Sequence, residues 1–65
     1  MNERKRFSLE TKKTFNGFLS RVFDNANNCK VTTIWIDKDG KAWDGFTDYD
    51  NVFTAARAAI NKYLA

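Results

Sequence analysis

The sequence predicts an α+β fold of order αββα: two amphipathic helices packed on one face of an antiparallel β-hairpin, with the hairpin edge available for dimerisation. Three observations predict it. Residues 31–46 read as strand, tight turn, strand. Ahead of them Phe15, Phe18, Leu19, Val22, Phe23 and Ala26 recur at helical spacing, and behind them Tyr49, Val52, Phe53, Ala56, Ile60, Tyr63 and Leu64 do the same.

Residues 1–65 read as one domain, without Pro, linker, internal repeat or low-complexity stretch. The polar stretch 1–6 reads as a flexible tail, and its Arg4-Lys5-Arg6 run is the basic cluster of the chain. Ser8 is placed as the N-cap of the first helix, with Glu10 in the first turn against the helix dipole. Lys12, Lys13, Asn16, Ser20, Arg21 and Asp24 fall between the apolar positions and are expected in water. Gly17 inside a helix costs about 1 kcal/mol relative to Ala, so it marks either a close backbone approach or a tolerated defect. Asn25, Asn27 and Asn28 are read as the helix end, because Asn accepts the left-handed cap conformation. Phe7 and Leu9 are expected to fold back onto the core. Cys29 reads as a small buried hydrophobe.

The hairpin carries the strongest local signal. Val31, Thr32, Thr33, Ile34, Trp35 and Ile36 are β-branched or aromatic and fit a pleated, half-buried surface. Asp37-Lys38-Asp39-Gly40 supplies the turn, with Gly40 free to take positive φ. Two registers are open. A three-residue loop, Lys38-Asp39-Gly40, pairs Asp37 with Lys41 and sets Trp35 opposite Trp43. A two-residue loop, Asp39-Gly40, pairs Ile36 with Trp43. The first is preferred, because opposite charges and two indoles then face each other, each pair contributing roughly 0.2–1 kcal/mol. In that register Ile34, Ile36, Ala42 and Phe46 form the core face, and Thr33, Trp35, Trp43 and Gly45 form the other.

Thr47 or Asp48 is placed as the cap of the second helix, with Asp50 in its first turn. Ala55, Ala56, Ala58 and Ala59 give it strong propensity and allow close packing. Arg57 and Lys62 lie toward its positive-charge-favouring end. The outer edges of a lone hairpin carry unpaired backbone groups, which leaves a homodimer built edge to edge open.

Composition excludes several classes. A single Cys rules out an internal disulfide, and without His a cysteine-plus-histidine zinc site is impossible. No apolar run approaches the roughly 20 residues of a membrane span. The N-terminal M-N-E-R-K-R lacks the apolar core of a signal peptide, and one unpaired Cys suits a reducing compartment, so a cytoplasmic protein is expected. The net charge of +3 is uneven, with seven Lys/Arg against three Asp/Glu in residues 1–30. That polarity is mild beside the dense patch of a dedicated nucleic-acid binder.

No motif for catalysis, metal or cofactor survives inspection. Asp37-Lys38-Asp39-Gly40 matches the D-x-D-G of an EF-hand loop, but the first and twelfth loop positions fall on Trp35 and Phe46, which cannot ligate calcium. Asp37, Asp39, Asp44, Asp48 and Asp50 each have a simpler role in a turn, on a strand or at a helix N-terminus, and paired catalytic carboxylates need a pocket that separates their pKa values. The sequence therefore predicts a protein that is not an enzyme and takes no cofactor.

Trp35 and Trp43 are the most informative side chains. Either both belong to the core, or they form an exposed aromatic platform rimmed by Lys38, Lys41 and Asp44. Such a platform suits a protein partner, because Trp is over-represented among binding hot spots. The expected function is a small accessory or inhibitor protein, in the manner of a phage or other mobile element, that covers a surface of a larger host protein. The alternative is a nucleic-acid-binding regulator using Arg4, Lys5, Arg6, Lys12 and Lys13, with Lys41 on the hairpin.

The second half, strand–turn–strand–helix with G-K-A-W followed by A-A-R-A-A, resembles the end of the plant-type and integrase-type sheet-and-helix DNA-binding domains. The resemblance covers about half of the chain and implies a sheet that enters the major groove with a helix packed behind it. The first strand of that pattern has no counterpart, an amphipathic helix being expected in its place, and Lys30, Lys38 and Lys41 are offset by Asp37, Asp39 and Asp44.

Overall fold

A computed structural model describes residues 6–65. The expected first helix is absent. Its residues form two strands, β1 (Phe7–Lys13) and β2 (Gly17–Asp24), followed by β3 (Cys29–Asp37), β4 (Ala42–Trp43), β5 (Asp48–Tyr49) and one helix, α1 (Val52–Leu64). The five strands form an antiparallel meander in chain order, so the αββα arrangement of two helices on a hairpin is overturned. β2 occupies the outer edge of β3, which also removes the hairpin edge as a dimer contact.

The reason lies in β2. Its side facing α1 carries Phe18, Ser20, Val22 and Asp24, and its other side carries Leu19, Arg21 and Phe23. Both sides are partly apolar, and two polar residues, Ser20 and Asp24, are fully buried. Alternation is thereby hidden, and the apolar set imitates a helical stripe. Ser8 and Glu10 are strand residues, not a cap and first turn: Ser8 Oγ accepts from Asn25 at 3.3 Å, and Glu10 lies 3.9 Å from Arg21.

Each turn has local chemistry. Thr14 N–H donates to the Gly17 carbonyl at 2.8 Å and closes the β1–β2 loop around Phe15 and Asn16. Gly17 is bare because a Cβ there would run into the Ile36 carbonyl of β3. Asn28 has φ 55°, so the left-handed conformation expected at a helix end serves the β2–β3 loop instead. The β3–β4 turn takes the three-residue form. Asp37 N–H donates to Lys41 at 2.9 Å, Gly40 has φ 89°, and Trp35 pairs with Trp43. Asp37 Oδ1 also accepts from the N–H groups of Asp39 and Lys41, both at 2.9 Å.

The helix starts later than expected. Thr47, Asp48 and Asp50 precede it, Tyr49 pairs with Ala42 in β5, and Asn51 is the cap, its Oδ1 accepting from Thr54 N–H at 2.9 Å. Small Ala55 and Ala56 let α1 approach the sheet over Val22, Ile34 and Ala42, with Val52 and Ile60 at the margins. The bulge opposite Val22 and Phe23 leaves Val31 unpaired and turns it into this core. Several residues expected on the core are elsewhere, Phe53 at 72% and Leu64 at 54% exposure among them. Phe46 lies in the β4–β5 loop at 88% exposure, and Cys29 is exposed at the start of β3. Phe7 packs edge-on against Tyr63, whereas Leu9 remains 37% exposed. No helix of the described residues is long and apolar enough to cross a membrane.

Candidate functional site: an uncovered aromatic sheet face

α1 covers one side of the sheet over β3 to β5. The opposite side has no element on it among the described residues. The register aligns Lys12, Leu19, Trp35, Trp43 and Asp48 as one row across all five strands. Glu10, Arg21 and Thr33 form the next row. β-pairing alone thus delivers both indoles to the open side, because directly opposed residues share a face.

The two indoles touch, with ring centroids 5.4 Å apart and planes inclined at 47°. They are 44% and 46% exposed. Gly45, at φ 99° in the β4–β5 loop, would carry any Cβ 4.0 Å from Trp35 Cζ3, so its lack of a side chain keeps that ring edge clear. A groove of about 790 Å³ runs beside the pair, lined by Phe15, Leu19, Trp35, Lys41, Trp43 and Asp48 among others. Phe15, at the tip of the β1–β2 loop, is fully exposed.

Of the expected rim, Lys41 lines this groove, and Lys38 lines a neighbouring hollow with Lys13 and Phe15. Asp44 does not belong to the rim. Its Oδ1 accepts from the N–H groups of Phe46 at 2.9 Å and Thr47 at 2.8 Å, and it borders a hollow against Lys62 on the helix side. Those backbone donors hold its carboxyl below the usual carboxylate range. Phe15, Leu19 and Asp48 were not foreseen as site residues. The Asn16-Gly17 dipeptide was the available signal, since it marks a turn and would have exposed Phe15 and made Leu19 a strand neighbour of Trp35.

The expected nucleic-acid residues are not brought together. Arg4 and Lys5 lie outside the described residues. Arg6 is engaged by Asp24, with Nε to Oδ1 at 3.0 Å and Nη2 to Oδ2 at 3.1 Å. Lys12 is on the open side of β1, and Lys13, its neighbour in an alternating strand, is on the other.

Asp24 itself was expected in water. Its buried carboxylate also accepts from Ala26 N–H at 3.0 Å, Asn27 Nδ2 at 2.8 Å and Tyr63 Oη at 2.7 Å. The Arg6 guanidinium first, then the Tyr63 hydroxyl, hold this carboxyl far below the usual range. Reciprocally, Asp24 and then Cys29 push Tyr63 up to about 12. With every lone pair used to tie elements together, Asp24 serves the fold. No group of three or more metal-ligating side chains is found among the described residues. Compared with known proteins, the chain matches no family model, no curated protein and no solved structure.

Proposed function

We propose that this is a small non-enzymatic binding protein whose open sheet face docks a larger protein partner through Trp35 and Trp43. The observation that carries the reading is the half-exposed indole pair on the side of the sheet opposite α1. Large rigid aromatic groups next to a groove give contact area at low entropic cost, which is why Trp dominates hot spots. Phe15 and Leu19 extend the apolar centre, and Lys41, Lys12 and Asp48 supply a mixed-charge rim. An accessory or inhibitor role follows from such a surface, since covering a site needs contact area and no chemistry.

The test compares wild type with the Trp35→Ala/Trp43→Ala double variant, both folded by circular dichroism, as baits in lysate of the cell that makes the chain. A partner retained by wild type is expected to bind the double variant at least about 30-fold more weakly, the equivalent of one hot spot of 2 kcal/mol. Equal recovery by both would remove the proposed face.

A second reading is nucleic-acid binding, favoured by one feature of the fold. β1 and β2 occupy the place where the sheet-and-helix resemblance lacked its first strand, and Lys12, Arg21 and Lys30 lie on or beside the open side. Against it stand Glu10, 3.9 Å from Arg21, and the engagement of Arg6 by Asp24. This reading expects affinity for duplex DNA to fall with salt at a log–log slope near −0.9 per phosphate neutralised. No shift of DNA or RNA at about 50 mM salt would dispose of it.

A further inference from the structure

The meander leaves one long free edge among the described residues. β5 has two residues and runs straight into α1, whereas β1 has seven, of which Ser8 to Lys13 are exposed. The closing bonds of the β1–β2 pair fix which backbone groups are spare. Thr14 N–H donates to Gly17, and Asn25 N–H donates to Arg6, so the even-numbered residues of this stretch form the hydrogen-bonded pairs with β2. Phe7, Leu9, Thr11 and Lys13 therefore turn their N–H and C=O groups outward.

We propose that β1 pairs antiparallel with β1 of a second copy, centred on Thr11. The inference is independent of the tryptophan face. In a two-fold pairing, outward residues must meet outward residues, which leaves few registers. Centring on Glu10 sets Glu10 against itself, and centring on Lys12 sets Lys12 against itself. Centring on Leu9 brings Arg6 against the partner's Lys12. Centring on Thr11 sets Glu10 against the partner's Lys12 and Lys12 against the partner's Glu10. Both contacts fall at non-hydrogen-bonded positions, where opposed side chains come closest. Charges on an edge strand ordinarily deter pairing. Here the order Glu-Thr-Lys makes them self-complementary in one register, as an isologous interface requires. The two five-stranded sheets then continue as one, with both open faces on the same side.

The experiment is sedimentation equilibrium of the full chain over a wide concentration range. Wild type is expected to rise from 7.5 kDa to twice that mass. Glu10→Lys and Lys12→Glu should each weaken the dimer at least about ten-fold, because two cross-strand attractions become repulsions. An equimolar mixture of these two variants should dimerise again, since each Lys now faces a Glu. Thr11→Pro removes an outward N–H and spares the backbone ladder of β1 and β2, though it loses the Thr11–Ser20 hydroxyl contact, and should stay monomeric while folded by circular dichroism. A wild type that is monomeric throughout, a dimer untouched by the single reversals, or a mixture that fails to associate each overturns the proposal. Should a reversal variant not fold, salt titration of wild type decides: the dimer must weaken as salt rises, and a salt-insensitive dimer refutes the register.

Discussion

Tyr63, in the last turn of α1, donates its hydroxyl to the Asp24 carboxylate at the end of β2 across 2.7 Å and 39 positions of sequence. Arg6, Ala26 and Asn27 share the same carboxylate, so one buried charge ties the start of β1, the β2–β3 loop and the end of the helix. The aromatic contact of Tyr63 with Phe7, at 6.1 Å, closes the same corner.

That corner predicts a stability plateau with two limbs. Asp24 is held far below the ordinary carboxylate value of about 3.9 by Arg6 first. A depressed folded value means stability that is present above the unfolded value and lost as pH falls through the folded one. Asp44, lowered by the N–H groups of Thr47 and Phe46, adds to the same limb. Tyr63, raised to about 12 by Asp24, contributes below its unfolded value near 10 and loses that contribution as pH rises toward 12. The thermal midpoint is therefore expected to be flat from about pH 5 to 10 and to fall on both sides. Asp24→Asn should lower the plateau and flatten the acid limb, and Tyr63→Phe should lower it and remove much of the alkaline limb. Melting followed by circular dichroism across pH checks this, and an acid limb of unchanged slope in Asp24→Asn would refute the assignment.

Glycine and asparagine substitutions separate steric from conformational cost. A Cβ at Gly17 meets backbone of β3, with Asp37 Cα at 3.1 Å, so Gly17→Ala should cost about 1–3 kcal/mol or more by displacing a strand. Gly40 has open space around it but φ 89°, so Gly40→Ala should cost only about 1–2 kcal/mol of left-handed strain. Asn28→Gly, at φ 55°, should be neutral within a few tenths of a kcal/mol, whereas Asn28→Val should cost about 1–2 kcal/mol. Urea midpoints rank the four, and a Gly17→Ala as mild as Asn28→Gly would mean that β2 and β3 are not so closely apposed.

The part of the fold that was legible rests on local chemistry. Gly40 and Asp37 define their turn whatever surrounds it, so the three-residue register that the structure takes is the one the sequence prefers of two, while whether the indoles are core or open is not decided by the chain alone. The alanine-rich helix was legible in kind but not at its start, because Asn51 competes with Thr47 and Asp48 as a cap and only tertiary pairing of Tyr49 decides. β1 and β2 were not legible, because Ser20 and Asp24 are buried by partners distant in sequence, Thr11 and Arg6, with Tyr63. The available hint is Gly17, for which the close approach of another backbone is one of two options the sequence leaves open. The candidate site inherits these errors: Trp35 and Trp43 lie side by side on the open face, but their neighbours Leu19 and Phe15 are strand and turn residues, not helical ones, and Asp44 does not line their rim.

Trp35 and Trp43 allow a prediction that needs no partner. Rings 5.4 Å apart and inclined at 47° couple their excited states, so the far-ultraviolet circular dichroism should carry an exciton couplet. Trp35→Phe and Trp43→Phe should each abolish it while leaving the helical signal. Being about half exposed, both indoles should be quenched by iodide as well as by acrylamide. Their contribution to stability should be small: a double-mutant cycle to Ala is expected to give a coupling of about 0.5–1.5 kcal/mol. Ile34→Ala, on the opposite face of the same strand and fully buried, should cost about 2–5 kcal/mol. If either tryptophan substitution proved as destabilising as Ile34→Ala, the indoles would be core, and the open face would lose its claim to be a docking surface. A couplet that survives both single substitutions would break the pairing of β3 with β4 on which that face is built.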